Sequence, residues 1–481
     1  MVIKENLKKR TSFFSLDVFL PVAVCVILLI VYLRTLLPGV GYMGDTAKFQ
    51  FIGKVLGIPH APGYPNYILL NHFFVSVFPF GTLAFRANFL SALYTIIASL
   101  FIFKSMRLFN VNHWIAASIT LTLCLGKTVW IQSVIAEVYS LNLLYTALVV
   151  YLFIKWHLSH QDRYFYLACF FYAISFGNHL IMITLLPGII YLVWVTDRRA
   201  FLDPKKIFSV LLFILLGAGQ YYYLIWRSLD PTSTYIELQA NNLSELLNVV
   251  TGAGSRDDVF RILPFVQYLA KIEKFGFFFA RELLFLIPMP FIGFFSKKRN
   301  SLYWFIAILF LSSLFFSYNY SIDDIWVYLI PCYYFLSIFT ALGFERLYDW
   351  WVEKQKKPQI VYATVLIPLA FLFINFNRAD MSRQNQSQLE VEADLAVIQQ
   401  NAIIINPDYD NYEYFKYYLL GEDYEKKRNI HLMSEYEAQN YLADPENPYK
   451  VYAISQEEAE KFTQQGYSAV QVRNDLYQIT K

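Results

Sequence analysis

The chain has 481 residues, of which 57% are hydrophobic and only 16% charged, with a mean hydropathy of +0.38. Soluble domains carry about 25% charged and about 45–50% apolar residues, so this composition belongs to a membrane protein. It excludes a soluble dehydrogenase, a nucleic-acid binder and a disordered scaffold. The net charge of +3 is uneven: residues 377–481 hold 18 Asp/Glu against 10 Lys/Arg, a balance of −8, which leaves +11 on residues 1–376. Basic loops suit anchoring against anionic lipid on one face.

A membrane span needs about 20 mostly apolar residues. The first candidate, Asp17 to Leu37, follows the basic stretch Lys4 to Arg10. The run is too long for a cleaved signal, and no small-residue cleavage site follows. It reads as a permanent first helix with its N-terminus in the cytoplasm. Further spans are expected near 84–106, 113–127, 138–156, 163–177, 179–195, 207–226, 275–295, 301–317, 325–343 and 359–376, about eleven in all. The stretch 163–196 is long for one helix and short for two. Arg163 flanks one end and Arg198 and Arg199 the other, so it is read as a hairpin turning at Gly177-Asn178-His179. The remaining basic loops (Lys104 and Arg107, Lys205 and Lys206, Lys297 to Arg299, Arg346 to Lys357) fall on the same predicted side.

The segments 38–83, 227–274 and 377–481 then lie on the outer side. Ile68 to Phe80 is too short to span and reads as an interfacial or re-entrant helix. The tail alternates helix signals (Leu389 to Gln400, Asp410 to Leu420, Glu457 to Gln465) with strand signals (Ala402 to Ile405, Tyr449 to Ile454, and a last strand near Ala469 to Val472). A small α/β domain is expected there. Its tyrosines, Tyr409, Tyr412, Tyr414, Tyr417 and Tyr418, read as core packing at helical spacing. The four cysteines lie in apolar runs without metal or disulfide spacing and read as small buried hydrophobes.

Ionisable residues near membrane depth are functional candidates by default. Most of them map to the predicted outer face: Asp45, His60, Glu137, His179, Asp323 and Asp324, with Arg86 at a helix end. Each also has a structural reading. Asp45 and Glu137 could cap the helices that follow, Asp323 and Asp324 could be interfacial caps, the histidines could be satisfied structurally, and Arg86 could snorkel. Their convergence on one face beside a long outer loop and a soluble domain suits a membrane-surface enzyme. A transporter would more often place its charges at mid-bilayer on broken helices in related halves.

The loop after the first span carries a longer pattern. Gly44-Asp45-Thr46-Ala47-Lys48-Phe49 and Leu56-Gly57-Ile58-Pro59-His60-Ala61-Pro62-Gly63-Tyr64-Pro65 resemble the signature of a membrane glycosyltransferase family that includes an animal protein O-mannosyltransferase. Pro79-Phe80-Gly81, Ala84 to Asn88, Glu137 to Asn142 and Gly177-Asn178-His179 look like further blocks of it. Lys48 departs from the pattern, which has Glu there, and Ala61 replaces a proline. The first departure removes a second carboxylate beside Asp45.

The resemblance implies a polytopic α-helical GT-C fold with about eleven transmembrane helices and a small C-terminal α/β extracytoplasmic domain. Hydropathy and the tail's alternating signals divide the chain into a membrane domain, 1–376, and a soluble domain, 377–481. The resemblance also implies an inverting transferase that moves a sugar, with mannose the family expectation, from a polyprenyl-phosphate donor to a hydroxyl, with protein Ser/Thr the family-based acceptor. Glycosylation of a lipid or envelope polymer, and a transporter or flippase of lipid-linked sugars, are the alternatives. Asp45 is the matching catalytic acid. One carboxylate near the reacting carbon fits an oxocarbenium-like transition state. The leaving phosphate needs cations or donors, for which Arg86, His60, His179 and Lys48 are the candidates. Tyr64, Glu137, Tyr139, Asn178, Asp323 and Asp324 are expected around the substrate. No metal ligand and no certain cofactor are assigned; a divalent metal is not predicted. The partners expected are the lipid-linked donor, a protein or glycan acceptor and the bilayer, with no nucleic acid. The expected location is a bacterial inner membrane.

Overall fold

The computed structural model describes residues 15–41, 45–252, 259–261, 263–295, 300–405, 409–444 and 446–481. The basic stretch Lys4 to Arg10, the loop residues Tyr42 to Gly44, and Lys297 to Arg299 lie outside the described residues.

The first helix, Leu16–Thr35, shows how the apolar segments become a bundle. Leu20, Val24, Leu28 and Tyr32 recur every fourth residue and are buried. Phe19, Val22, Val26, Ile30 and Leu33 on the remaining faces stay exposed, the surface a lipid would cover. The Tyr32 hydroxyl donates to the Cys124 carbonyl at 2.8 Å, so the one polar atom on the buried stripe is satisfied.

Among the described residues, eight helices are long and apolar enough to cross a membrane, or up to ten if each of two bent pairs counts as one span. The hairpin expected over 163–196 forms, but its first arm, Asp162–Ser175, has only 14 residues. That is roughly 21 Å at 1.5 Å per residue, short of a hydrocarbon core of about 30 Å, so the expected span 163–177 falls short. Gly217 packs against the Ala173 carbonyl, where an added Cβ would sit 2.4 Å away.

The bent pairs correspond to the expected spans 113–127 and 275–295. His113–Cys124 and Lys127–Val134 meet at 65°, and Phe265–Leu286 and Pro288–Phe294 at 86°. The two breaks support each other. Glu282 accepts from the Thr128 backbone N–H at 3.1 and 3.2 Å, so a buried acid caps the new helix start at the first bend. A Cβ on Gly126 would fall 2.3 Å from the Glu282 carboxylate, so a side chain there would displace the capping acid.

The C-terminal segment forms a five-stranded sheet of order β2-β1-β3-β5-β4. Strand β1 (Ala402–Ile405) runs parallel to β2 (Ile430–Met433) and β3 (Lys450–Ala453). Strand β5 (Leu476–Thr480) runs antiparallel to β3, and β4 (Ser468–Arg473) to β5. Two strands go beyond the sequence expectation: β2, whose partly exposed residues give a weak apolar signal, and β5, which follows what was read as the last strand. Ile403, Ile405, Val451 and Ala453 face a small core with Ala438, Ala459 and Phe462. Ala402, Ile404 and Tyr452 on the alternate positions join the main core.

The segment is seated on the bundle by specific bonds. Val40 N–H donates to Gln388 Oε1 at 3.0 Å, Ala84 N–H to the Tyr417 hydroxyl at 3.0 Å, and Lys54 Nζ to the Gly421 carbonyl at 2.6 Å and Asp423 at 2.8 Å. Tyr414, Tyr417 and Tyr418 are buried as expected of core. Tyr414 lies against Gly41, whose φ of +83° and close ring contact admit no side chain. Cys124 and Cys332 are buried, and all four cysteines are free thiols.

Candidate active site

Asp45 occupies the N-cap position of the helix Thr46–Val55, yet its side chain makes no capping bond. The carboxylate instead accepts from Lys48 Nζ, one helical turn on, at 2.9 Å. Lys48 is 1% exposed and also reaches Glu237 at 2.6 Å and Glu413 at 3.8 Å. Burial alone would push the Lys48 ammonium down, but Asp45, Glu237 and Glu413 outweigh it and hold the group well above its ordinary value. Glu413 is pushed up to about 7 by burial, against the pull of Lys48 and with Glu237 and Asp45 adding to the rise. The Tyr235 hydroxyl bonds both Glu413, at 3.0 Å, and Glu237.

His60 comes to the other oxygen of Asp45, with Nε2 3.5 Å from Oδ2. The same nitrogen lies 3.0 Å from the Tyr64 hydroxyl. Burial pushes the His60 ring down, with Asp45 opposing, so the imidazole is neutral near pH 7. The glycine- and proline-rich block folds as a tight turn. Gly63 sits at φ 87° against Leu224, and Tyr64 is held at φ 43°, a left-handed conformation that is costly for a tyrosine. That conformation begins the helix Pro65–Val77, the counterpart of the expected interfacial helix.

Tyr64 links this group to a deeper one. Its ring lies 6.0 Å from His179, which also packs against Tyr139 at 5.8 Å and Tyr328 at 5.3 Å. His179 is buried, which pushes its ring down to about 3. Its Nδ1 accepts from the Ile181 backbone N–H at 3.1 Å, so the proton of the neutral ring is on Nε2. That Nε2 has no hydrogen-bond partner among the described residues, and neither do the buried Tyr67 hydroxyl and Asn178 Oδ1. Asn178 is anchored through Nδ2 to the Val138 carbonyl at 3.2 Å. Glu137 is buried beside them, and burial together with Asp45 and Asp324 pushes its carboxyl well up. It does not act as a side-chain cap for the helix Tyr139–Ser159. Asp324, exposed on the rim, is within electrostatic reach of Asp45 and His60, with Asp323 exposed next to it.

Arg86 is not brought to this group by any described contact. Its guanidinium donates to the carbonyls of Val75 at 2.7 Å, Phe78 at 3.4 Å and Thr82 at 3.3 Å, closing the end of the preceding helix. Asn88, in the same sequence block, is structural as well. It donates to the Leu37 carbonyl and accepts from Gln50 and the Ala136 N–H, joining three segments.

A second basic group was not singled out from the sequence. Lys127 has Arg281 and Arg378 as charged neighbours, with Glu282 the counter-charge. Arg281 donates to Thr128 at 3.3 Å and lies 5.8 Å from the Trp326 ring, two residues beyond Asp324. Its Nε is buried without a described partner. The signal was present, because Arg281-Glu282 interrupts an otherwise apolar run. Among the described residues no cluster of three or more His, Cys, Asp or Glu side chains is arranged to hold a metal ion.

Residues 45–201 match the family model described as the protein O-mannosyl-transferase TMEM260 N-terminal domain. The match covers about a third of the chain and is a resemblance of that N-terminal region. The chain is 25% identical over 243 residues to protein O-mannosyl-transferase tmem260 of Dictyostelium discoideum, covering 46% of this chain and 29% of the relative. It is 26% identical over 205 residues to TMEM260 of Mus musculus, covering 42% and 28%. The chain thus spans less than a third of the length of these curated relatives. ArnT of Cupriavidus metallidurans, solved bound to undecaprenyl phosphate, aligns with a TM-score of 0.66 at 11% identity, over 96% of this chain and 97% of that one. The apo oligosaccharyltransferase of Archaeoglobus fulgidus aligns with a TM-score of 0.51 at 13% identity, over 94% and 71%. At these identities the solved structures show the fold alone, and the expected polytopic helical fold with a small C-terminal sheet is the one they share.

Proposed function

We propose that this chain is an inverting glycosyltransferase that moves a sugar, mannose by analogy with the names of its relatives, from a polyprenyl phosphate to a hydroxyl acceptor. The reading rests on one observation: an acid, Asp45, and an unpartnered N–H donor, His179 Nε2, are linked through His60 and the Tyr64 ring, with the Tyr139 and Tyr328 rings packed on His179. Asp45 takes the proton of the acceptor hydroxyl as its oxygen attacks the anomeric carbon. The bond from that carbon to the phosphate oxygen breaks, and the lipid phosphate leaves with the electron pair. Developing negative charge on the leaving group favours fixed donors in a dry site, which the His179 N–H and the Arg281 guanidinium supply. Tyr64, Tyr139, Asn178 and Glu137 offer the mixture of rings and polar atoms that a sugar requires.

The lipid tail has a matching place. An apolar cavity of about 640 Å³ opens between the helices Asp162–Ser175, Leu186–Asp197 and Pro204–Gly219, lined by Phe176, Leu180, Ile214 and Tyr221 among others. Leu180 directly follows His179, so the cavity begins where the phosphate would sit. In this reading the Asp45 end of the bundle and the C-terminal domain are extracytoplasmic, where a donor carried in the bilayer replaces nucleotide sugars. Protein Ser/Thr is the acceptor proposed, by analogy with the relatives' names.

The test is turnover of polyprenyl-phosphate sugars by purified protein in detergent, with Ser/Thr peptides and lipid acceptors as separate arms. Loss of turnover in Asp45→Asn with donor binding retained supports the reading. Donor binding without turnover in any arm would replace it with a carrier of lipid-linked sugars.

A further inference from the structure

Lys48 stands where the related sequence pattern carries an acid, and the structure gives the lysine a specific task. Its ammonium is buried at the meeting point of three segments distant in sequence. Asp45 comes from the loop after the first helix, Glu237 from the segment that follows Pro204–Leu229, and Glu413 from the C-terminal helix Tyr409–Lys416. Each approach is backed by a backbone or packing anchor. Ile58 N–H donates to the Tyr235 carbonyl at 2.9 Å and Glu237 N–H to the Ile58 carbonyl at 2.9 Å, which ties the outer segment to the turn that carries His60. Tyr235 stands edge-on to Phe51 at 5.1 Å, on the same short helix as Lys48.

A buried acid costs several kcal/mol unless paired, and this node buries parts of three. One ammonium serves them all. It also settles the geometry of Asp45: Oδ1 is taken by Lys48, and Oδ2 is the oxygen that faces His60. Without the lysine the carboxylate would turn away from Glu237 and Glu413 by simple repulsion.

We propose that Lys48 is a positioning residue, a resident counter-ion that orients the Asp45 carboxylate and latches the C-terminal domain onto the site through Glu413. The positioning half rests on the reading of Asp45 as the base; the latch half does not. The site is then complete only while the C-terminal helix is docked, so the domain is part of the machinery rather than a cover. The groups facing the node are Asp45, His60, Tyr235, Glu237 and Glu413, with Tyr412 and Lys416 on Glu413's own helix and Glu137 and Asp324 within electrostatic reach of Asp45.

Two readouts test it on the full chain. The first is hydrogen exchange, expressed as protection of residues 412–421 in wild type and Lys48→Met at pH 8 and pH 6. The latch predicts about a tenfold or larger loss of protection at pH 8 that shrinks at pH 6, where Glu413 takes up a proton and needs no counter-ion. Unchanged protection at pH 8, or an equal loss at both pH values, would overturn it, the latter marking a role for the lysine stem alone. The second is kinetics. Lys48→Met lowers kcat by about 100-fold with donor KM nearly unchanged, and Lys48→Arg recovers part of the loss. A Lys48→Met enzyme with wild-type kcat sinks the positioning half. A wild type inactive on every donor would count against the proposed function, while the exchange experiment still decides the latch.

Discussion

Lys48 and Lys206 are both buried lysines between acids, and they do different work. Lys206, 6% exposed, pairs with Asp162 at 3.1 Å and Asp197 at 2.9 Å and lies over the Phe165 ring. Its acids are 50% and 36% exposed, at the start of one helix and the end of another, within 44 residues in sequence. That is a pin between neighbouring helix ends, wet on its acid side and weakened by solvent screening. Lys48 has partners 3, 189 and 365 residues away, with Glu413 only 3% exposed. The same ion-pair chemistry therefore marks a local staple in one place and a point where distant segments must meet in the other. What separates them is the burial of the acids and the length of chain between partners.

The comparison is sharpest at Asp45. Asp45→Asn keeps the shape but removes the base, and kcat is expected to fall by about 10³-fold with donor affinity retained, measured by sugar transfer in detergent. Loss of donor binding instead would make Asp45 part of a structural pin like the acids around Lys206. Arg281→Met comes next: donor affinity should fall by about 30-fold or more, read by titration with a polyprenyl phosphate, because in the proposed role its half-buried guanidinium makes charge-assisted bonds to the phosphate. Arg86→Met should leave that affinity unchanged, since its donors are spent on carbonyls.

The pH dependence of docking follows from Glu413. Its docked value, about 7, lies above the ordinary carboxylate value, so the docked form keeps its proton longer. That contribution is fully present at low pH and is lost as pH rises through about 7. Thermal unfolding of the wild type between pH 5 and 8 should show this fall, and Glu413→Gln should flatten it. An equally steep fall in the Gln variant would assign the effect to other groups. The smallest effect belongs to Lys206→Met, about 1 kcal/mol or less, visible as a small drop in Tm that salt diminishes.

Much of the architecture could be read from residue order. The apolar stripe Leu20, Val24, Leu28 and Tyr32, the turn at Gly177-Asn178-His179 and the strands at 402–405 and 450–453 each follow from a local period or a local breaker. The bends at Gly126 and Pro288 were not legible, because an apolar window averages over them, and one depends on Glu282 arriving from another helix. The candidates Asp45, His60, Tyr64, Glu137, Tyr139, Asn178 and His179 come together, with Asp324 on the rim, while Arg86 goes to a helix end. Glu237 and Glu413 were not legible because nothing near them in sequence distinguishes them from ordinary loop or helix charges, whereas Arg281 stands out as a charge within an otherwise apolar run.

By itself the sequence determined a helical membrane bundle with an acid after its first span and a small α/β tail, because hydropathy and periodicity act over one or two turns of chain. Only the tertiary structure decided that Lys48 would be shared among Asp45, Glu237 and Glu413, and which oxygen of Asp45 would stay beside His60. Those outcomes depend on burial, and how deeply a charge is buried is a property of everything packed around it rather than of its neighbours in the chain.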